Sequence, residues 1–127
     1  ALKVALTIRA RNAEARTLVF DEVDAGIGGA AAEQVARKLR ALAAGNQLIC
    51  VTHLAQIAAF GEHHFSVEKR EAKGRTHSVV EEIDEEQRVK EVGRMLGGQS
   101  LTAEALKYAE QLIAMGRAAS SAVPASA

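Results

Sequence analysis

Two places in the chain put proton-handling side chains directly after short apolar runs. Thr17-Leu18-Val19-Phe20 stops at Asp21-Glu22, and Gln47-Leu48-Ile49-Cys50-Val51 stops at Thr52-His53. Each run has the length and composition of a strand buried on both faces, as in a parallel sheet. Ligands of such sheets bind beyond the carboxyl ends of the strands. If the two strands are neighbours, two carboxylates and an imidazole meet in one crevice. An Asp at the end of a rigid strand can orient a hydrated Mg2+, a hard cation that takes oxygen ligands and keeps several waters. The adjacent Glu22 points elsewhere and can accept a proton from an attacking water, or orient it. A nearby histidine can donate a hydrogen bond to a phosphate oxygen while a neighbour fixes its other nitrogen. Together these are the water-side parts of phosphoryl transfer. The phosphate-side part is missing, because no GxxxxGK(S/T) occurs anywhere in the chain.

The elements that must position these groups are legible around them. Apolar residues at helical spacing (Leu2, Ala5, Leu6) predict a helix over about 2–13. Gly26, Gly28 and Gly29 form a loop after the first strand. The next helix is predicted over about 30–43, with Ala32, Val35, Leu39 and Leu42 as its apolar stripe and Gly45-Asn46 as its C-cap. Strand, helix and strand then make a βαβ unit, and a short helix follows His53. Residues from about 64 to 70 and from 76 to 83 read as a hairpin around Lys73-Gly74. Val89, Val92 and Leu96 mark a helix ending at Gly97-Gly98. Ala105, Leu106, Ala109, Leu112 and Ile113 mark a last one. The fold class is therefore α/β, a parallel sheet core with flanking helices and a C-terminal hairpin plus helices. Residues 1–116 form one lobe, and the Ala/Ser-rich stretch 117–127 is expected to be a disordered tail.

Composition bounds the function classes. The 127 residues suffice for one domain, and the hydrophobic fraction of 48% suits a globular chain. With aromatics at only 3%, the core is expected to be Leu, Val, Ile and Ala. The formal net charge of +0 gives no global attraction to nucleic acid, so any DNA contact has to be local or lie elsewhere. The single cysteine, Cys50, forms no intrachain disulfide and suits a reducing compartment. No apolar run approaches a membrane span, and no signal peptide is read at the start. The chain opens on Ala1 with a helical pattern already under way, which reads as a piece of a longer protein.

The combination of Leu18-Val19-Phe20-Asp21-Glu22-Val23-Asp24-Ala25-Gly26-Ile27-Gly28-Gly29 with Leu48-Ile49-Cys50-Val51-Thr52-His53 is more specific than either part. It resembles the ATP-binding-cassette class of ATPases and, more closely, the heads of SMC-like proteins. With Cys50-Val51-Thr52-His53-Leu54-Ala55-Gln56 and Arg94-Met95-Leu96-Gly97-Gly98, the chain resembles the bacterial RecN DNA-repair family from about residue 1 to about 116. The resemblance implies the C-terminal lobe of a P-loop NTPase-like ATPase head, using ATP and Mg2+. Asp21 would be the Walker B aspartate acting on Mg2+, Glu22 the catalytic glutamate and His53 the switch histidine that contacts the γ-phosphate. Ala25, Gly26, Ile27 and Gly28 would be the D-loop, at the interface between two heads. Many transporter-type cassettes end this loop with Asp; here Gly28 stands there, and no carboxylate role carries over. The implied partners are the N-terminal half of the same head with its Walker A motif, a second head in an ATP-dependent dimer, and DNA through the parent protein, with no membrane. The implied location is the bacterial cytoplasm, at the nucleoid.

Other polar residues have plainer readings. Asp24 is a candidate third acidic ligand, but fixing the loop is its ordinary role. Gln56, one helical turn past His53, is a candidate to reach the site, and a surface glutamine is the plainer alternative. Adjacent His63 and His64 are poorly arranged to share a metal and read as strand-edge residues. His77 reads as solvated, and Cys50 as an inert core thiol. Lys69, Arg70, Lys73 and Arg75 make a basic hairpin tip, diluted by Glu68 and Glu71, that reads as a solvated turn. Two rivals to the ATPase reading stand. One is a self-sufficient metal-dependent phosphohydrolase or nuclease using Asp21, Glu22, Asp24 and His53. The other is a non-catalytic interaction module.

Overall fold

A computed structural model describes residues 16–21, 26–98 and 100–122. The chain is mixed α/β with two small sheets. In order, its elements are β1 (Thr17–Asp21), α1 (Gly29–Ala43), β2 (Gln47–Val51), α2 (Ala55–Ala58), β3 (Phe65–Ala72), β4 (Arg75–Glu82), α3 (Glu85–Gly97) and α4 (Ala103–Ala122). The predicted helix over 2–13 lies outside the described residues.

β1 and β2 pair in parallel, Thr17 opposite Gln47 through Asp21 opposite Val51. Asn46 helps to set that register. Its side-chain amide donates to the Leu42 carbonyl at 3.0 Å, closing the end of α1, while its oxygen accepts from the Arg16 amide at 3.2 Å. The Gln47 amide donates to the Arg16 carbonyl at 2.8 Å. The predicted cap at Gly45-Asn46 is thus made by the Asn46 side chain, after an Ala44 that keeps helical geometry.

The strands were expected to be buried on both faces, and here the structure differs. Leu18, Phe20, Leu48 and Cys50 face the core, whereas Val19, Ile49 and Val51 are 66%, 47% and 56% exposed. One layer of helices covers one face, and the described residues of this chain leave the other bare.

β3 and β4 form the predicted hairpin. Lys73 and Gly74 both have positive φ, 53° and 74°, the paired left-handed turn whose twist matches that of the strands. α3 opens on a capping box. The Asp84 carboxylate accepts from the Gln87 amide at 2.8 Å, and the Gln87 side chain accepts from the Asp84 amide at 3.0 Å. It closes at Gly98, with φ 72°. α4 continues past Arg117 to Ala122, so residues 117–122 are helical rather than the expected tail, in keeping with the high helix propensity of alanine.

The core gathers Phe20 from β1, Ala32, Ala36 and Leu39 from α1, Ala55 and Ile57 from α2, and Val92, Ala109, Leu112 and Ile113 from α3 and α4. Phe20 and Phe60 are buried in it, so it is less purely aliphatic than composition implied. Among the described residues, no helix is long and apolar enough to cross a membrane.

Candidate functional site

The parallel register decides where the chemistry gathers. Asp21 is the last residue of β1 and stands opposite Val51, the last residue of β2. His53 follows two residues later, so both exposed side chains occupy the carboxyl end of the same sheet. Strand alternation puts Asp21 on the bare face, in the row of Val19, Ile49 and Val51. Thr52 shapes the turn between strand and helix: its hydroxyl accepts from the Leu54 amide at 3.0 Å.

Glu22 and Ala25 lie outside the described residues, as does Asp24. Beyond them, Gly26 has φ 76°, where a side chain would be strained, and Ile27 is half-buried against the core. Gly28 is the N-cap of α1 in an extended conformation, φ −83° and ψ 168°, that any residue adopts. Among the described residues, a β-carbon built on Gly28 would meet nothing within 4 Å.

Gln56 is half-buried. A β-carbon on Gly29 would come within 3.4 Å of its Nε2. The glutamine therefore packs on the start of α1, between the His53 turn and the Gly26–Gly28 loop, rather than lying free on the surface.

The remaining histidines sit away from this end. His63 Nδ1 lies 2.8 Å from a Glu82 carboxylate oxygen at the base of the hairpin. His64 has its Nδ1 buried without a partner, and its pKa is pushed down, first by burial and then by the Arg88 charge. At the hairpin tip Arg70 pairs with Glu68 at 3.2 Å, which supports the solvated-turn reading. Cys50 is half-buried against the core. Among the described residues, no three His, Cys, Asp or Glu side chains gather as a metal cluster. A single strand-end carboxylate such as Asp21 nevertheless suits Mg2+, which is commonly held by one or two carboxylates, its waters and substrate phosphates.

The chain is 51% identical over 102 residues to the DNA repair protein RecN of Deinococcus radiodurans, an overlap covering 80% of this chain and 18% of that protein. It is 41% identical over 106 residues to the RecN of Vibrio cholerae, covering 84% and 19%. Against the RecN of Bacillus subtilis it is 35% identical over 97 residues, covering 76% and 17%. This chain is a RecN-type sequence. It spans less than a fifth of the length of these curated relatives. No family model matches it.

One buried charge of this RecN-type chain was not legible in its sequence. Arg88, on α3, is only 4% exposed and reaches back to the segment that follows α2. In sequence it sits among Glu85, Glu86, Gln87 and Lys90 and reads as one more surface charge. Its one signal was its place beside Val89 and one turn before Val92 in the helical pattern.

Proposed function

We propose that the chain is the C-terminal lobe of an ATPase head in a RecN-type DNA-repair protein, and that it supplies the water-side half of the nucleotide site. The observation that carries this reading is the parallel β1–β2 register. It brings Asp21 and the His53 turn to one sheet end, beside a glycine loop that leads into α1.

In this reading Asp21 orients the hydrated cation. Glu22 takes the proton of the attacking water. His53 donates a hydrogen bond to a phosphate oxygen, and Gln56 holds the His53 turn against the start of α1. Bound Mg2+ neutralises phosphate charge. The phosphate cradle comes from outside this chain. The bare row of Val19, Ile49 and Val51 supports that division, because the body that covers it also closes over Asp21. Gly26–Gly28 faces a second head in an ATP-dependent dimer, and contact with DNA belongs to the parent protein in the bacterial cytoplasm.

The test is Glu22→Gln in the full-length protein. Gln keeps the size and an acceptor but cannot take the proton, so ATP binding persists while turnover falls about 10²–10⁴-fold. Hydrolysis at the parental rate would remove Glu22 as the base, and no ATP binding by the parental protein would end the reading.

A further inference from the structure

The single-turn helix α2 begins two residues after His53, and its other end is gripped by three helices. From α3, the Arg88 Nη2 donates to the carbonyls of Ala58 at 3.2 Å and Ala59 at 3.0 Å, and also to that of Gly61. From α1, Arg40 donates to the Phe60 carbonyl at 3.3 Å and pairs with Glu62 at 3.0 Å. From α4, Gly116 approaches so closely that a β-carbon there would lie 2.6 Å from the Ala59 carbonyl oxygen. A helix of four residues has little stability of its own. α2 also lacks a side-chain cap at its start, so its placement comes from these contacts together with the burial of Ala55 and Ile57 in the core.

Thr52, His53 and Leu54 bridge two anchors. One is the last residue of β2, fixed in register with Asp21. The other is α2, fixed at its far end by the arginine. We infer that Arg88 is a positioning residue for His53: it sets the distance from the histidine to the Asp21 strand end by holding the carbonyls of Ala58, Ala59 and Gly61. The inference rests on the ATPase reading above. It assigns to α3, a helix that follows the hairpin in the chain, a part in the reaction. Arg88 itself touches neither substrate nor reacting atoms. The two hydrogens of the Arg88 Nη2 are shared among three carbonyls; the Ala58 carbonyl also accepts from the Gly61 amide, so loss of the guanidinium would leave chiefly the Ala59 and Gly61 carbonyls without this donor.

The test is a double-mutant cycle in the full-length protein, read as kcat and KM for ATP with Mg2+. His53→Ala should lower kcat about 10²-fold or more. Arg88→Met, which keeps length and apolar volume, should lower kcat roughly 10- to 100-fold with KM little changed. In the His53→Ala background Arg88→Met should have no further effect on kcat beyond about twofold. A merely structural arginine gives the same loss in both backgrounds, and that result overturns the inference, as does an undiminished kcat in Arg88→Met alone. Gly116→Ala would press a methyl against the Ala59 carbonyl and should repeat the pattern. Arg88→Lys, with one charged group and fewer carbonyls in reach, replaces Arg88→Met under the same criteria if the latter fails to fold. If His53→Ala leaves kcat unchanged, the ATPase role of His53 falls first and the inference with it. A loss in His53→Ala that is simply additive with Arg88→Met sinks the inference alone.

Discussion

In the proposed site Asp21 and Glu22, adjacent in sequence, take different tasks, and their variants should separate them. Asp21→Asn removes the charge that a hard cation requires. In the full-length protein it should weaken Mg2+-dependent ATP binding as well as turnover, whereas Glu22→Gln should spare binding. Equal ATP affinity for Asp21→Asn and the parent, measured by calorimetry with Mg2+, would take Asp21 out of the cation's shell. His64 carries a second prediction at this scale, through stability. Its pKa lies below the ordinary 6.5, first because burial disfavours the charged ring and then because Arg88 repels it, with Glu91 acting weakly the other way. The unfolded chain therefore binds a proton at a pH where the folded chain does not. Stability should fall as pH drops below about 6.5 and level off once the folded ring also protonates. His64→Gln should abolish that part of the slope in chemical denaturation between neutral and mildly acidic pH. An identical slope in variant and parent would mean that His64 does not report on folding.

Elements were easier to read than their surroundings. β1, β2 and the hairpin followed from apolar runs and the Lys73-Gly74 turn, because those signals are local. The Asp84 capping box was equally local, an Asp three residues before a Gln, and marks the start of α3 more sharply than its apolar stripe. Whether a strand has one or two covered faces was not legible, since an apolar Val19 reads the same against a helix or against open space. Nor was the depth of Arg88, which depends on where the α2 carbonyls fall in three dimensions. At the site, the neighbouring of Asp21 and His53 was legible because a βαβ connection makes consecutive strands parallel. Glu22 and Ala25 lie outside the described residues, and their roles remain expectations. Position 28 is extended and, among the described residues, unobstructed, so Gly28→Trp should fold, whereas Gly26, with φ 76°, is the position where a side chain costs stability. With Glu22→Gln present to trap ATP, Gly28→Trp should weaken ATP-dependent head association in sedimentation while leaving the melting temperature nearly unchanged. Undiminished association would show that the loop is not in the joint.

At the scale of the whole molecule, the chain has a core but not a complete surface. It should not bind ATP tightly alone, because its sequence contains no GxxxxGK(S/T) motif to cradle the phosphates; submicromolar affinity by calorimetry on this chain would contradict that. The sheet makes the sharper case. Parallel strands occur almost only with both faces covered, and here, among the described residues, Val19, Ile49 and Val51 form a bare apolar row that ends at Asp21. A two-stranded sheet also offers unpaired backbone along its edges, which invites pairing with another chain. The outer face of the hairpin adds exposed Phe65, Val67 and Val80. Apolar area left in water favours association at about 25 cal/mol per Å² covered. The isolated chain should therefore self-associate and bind a hydrophobic dye at neutral pH, where its formal net charge of +0 provides little repulsion. Val19→Thr with Val51→Thr keeps β-branched side chains suited to strands but replaces a methyl with a hydroxyl at each position. That double variant should shift sedimentation towards the monomer and reduce dye binding, while far-ultraviolet circular dichroism stays the same. In the full-length protein the same two changes should be destabilising, because there the hydroxyls would be buried against the covering body. A double variant that is neutral in the full-length protein would mean that nothing covers this face of the sheet.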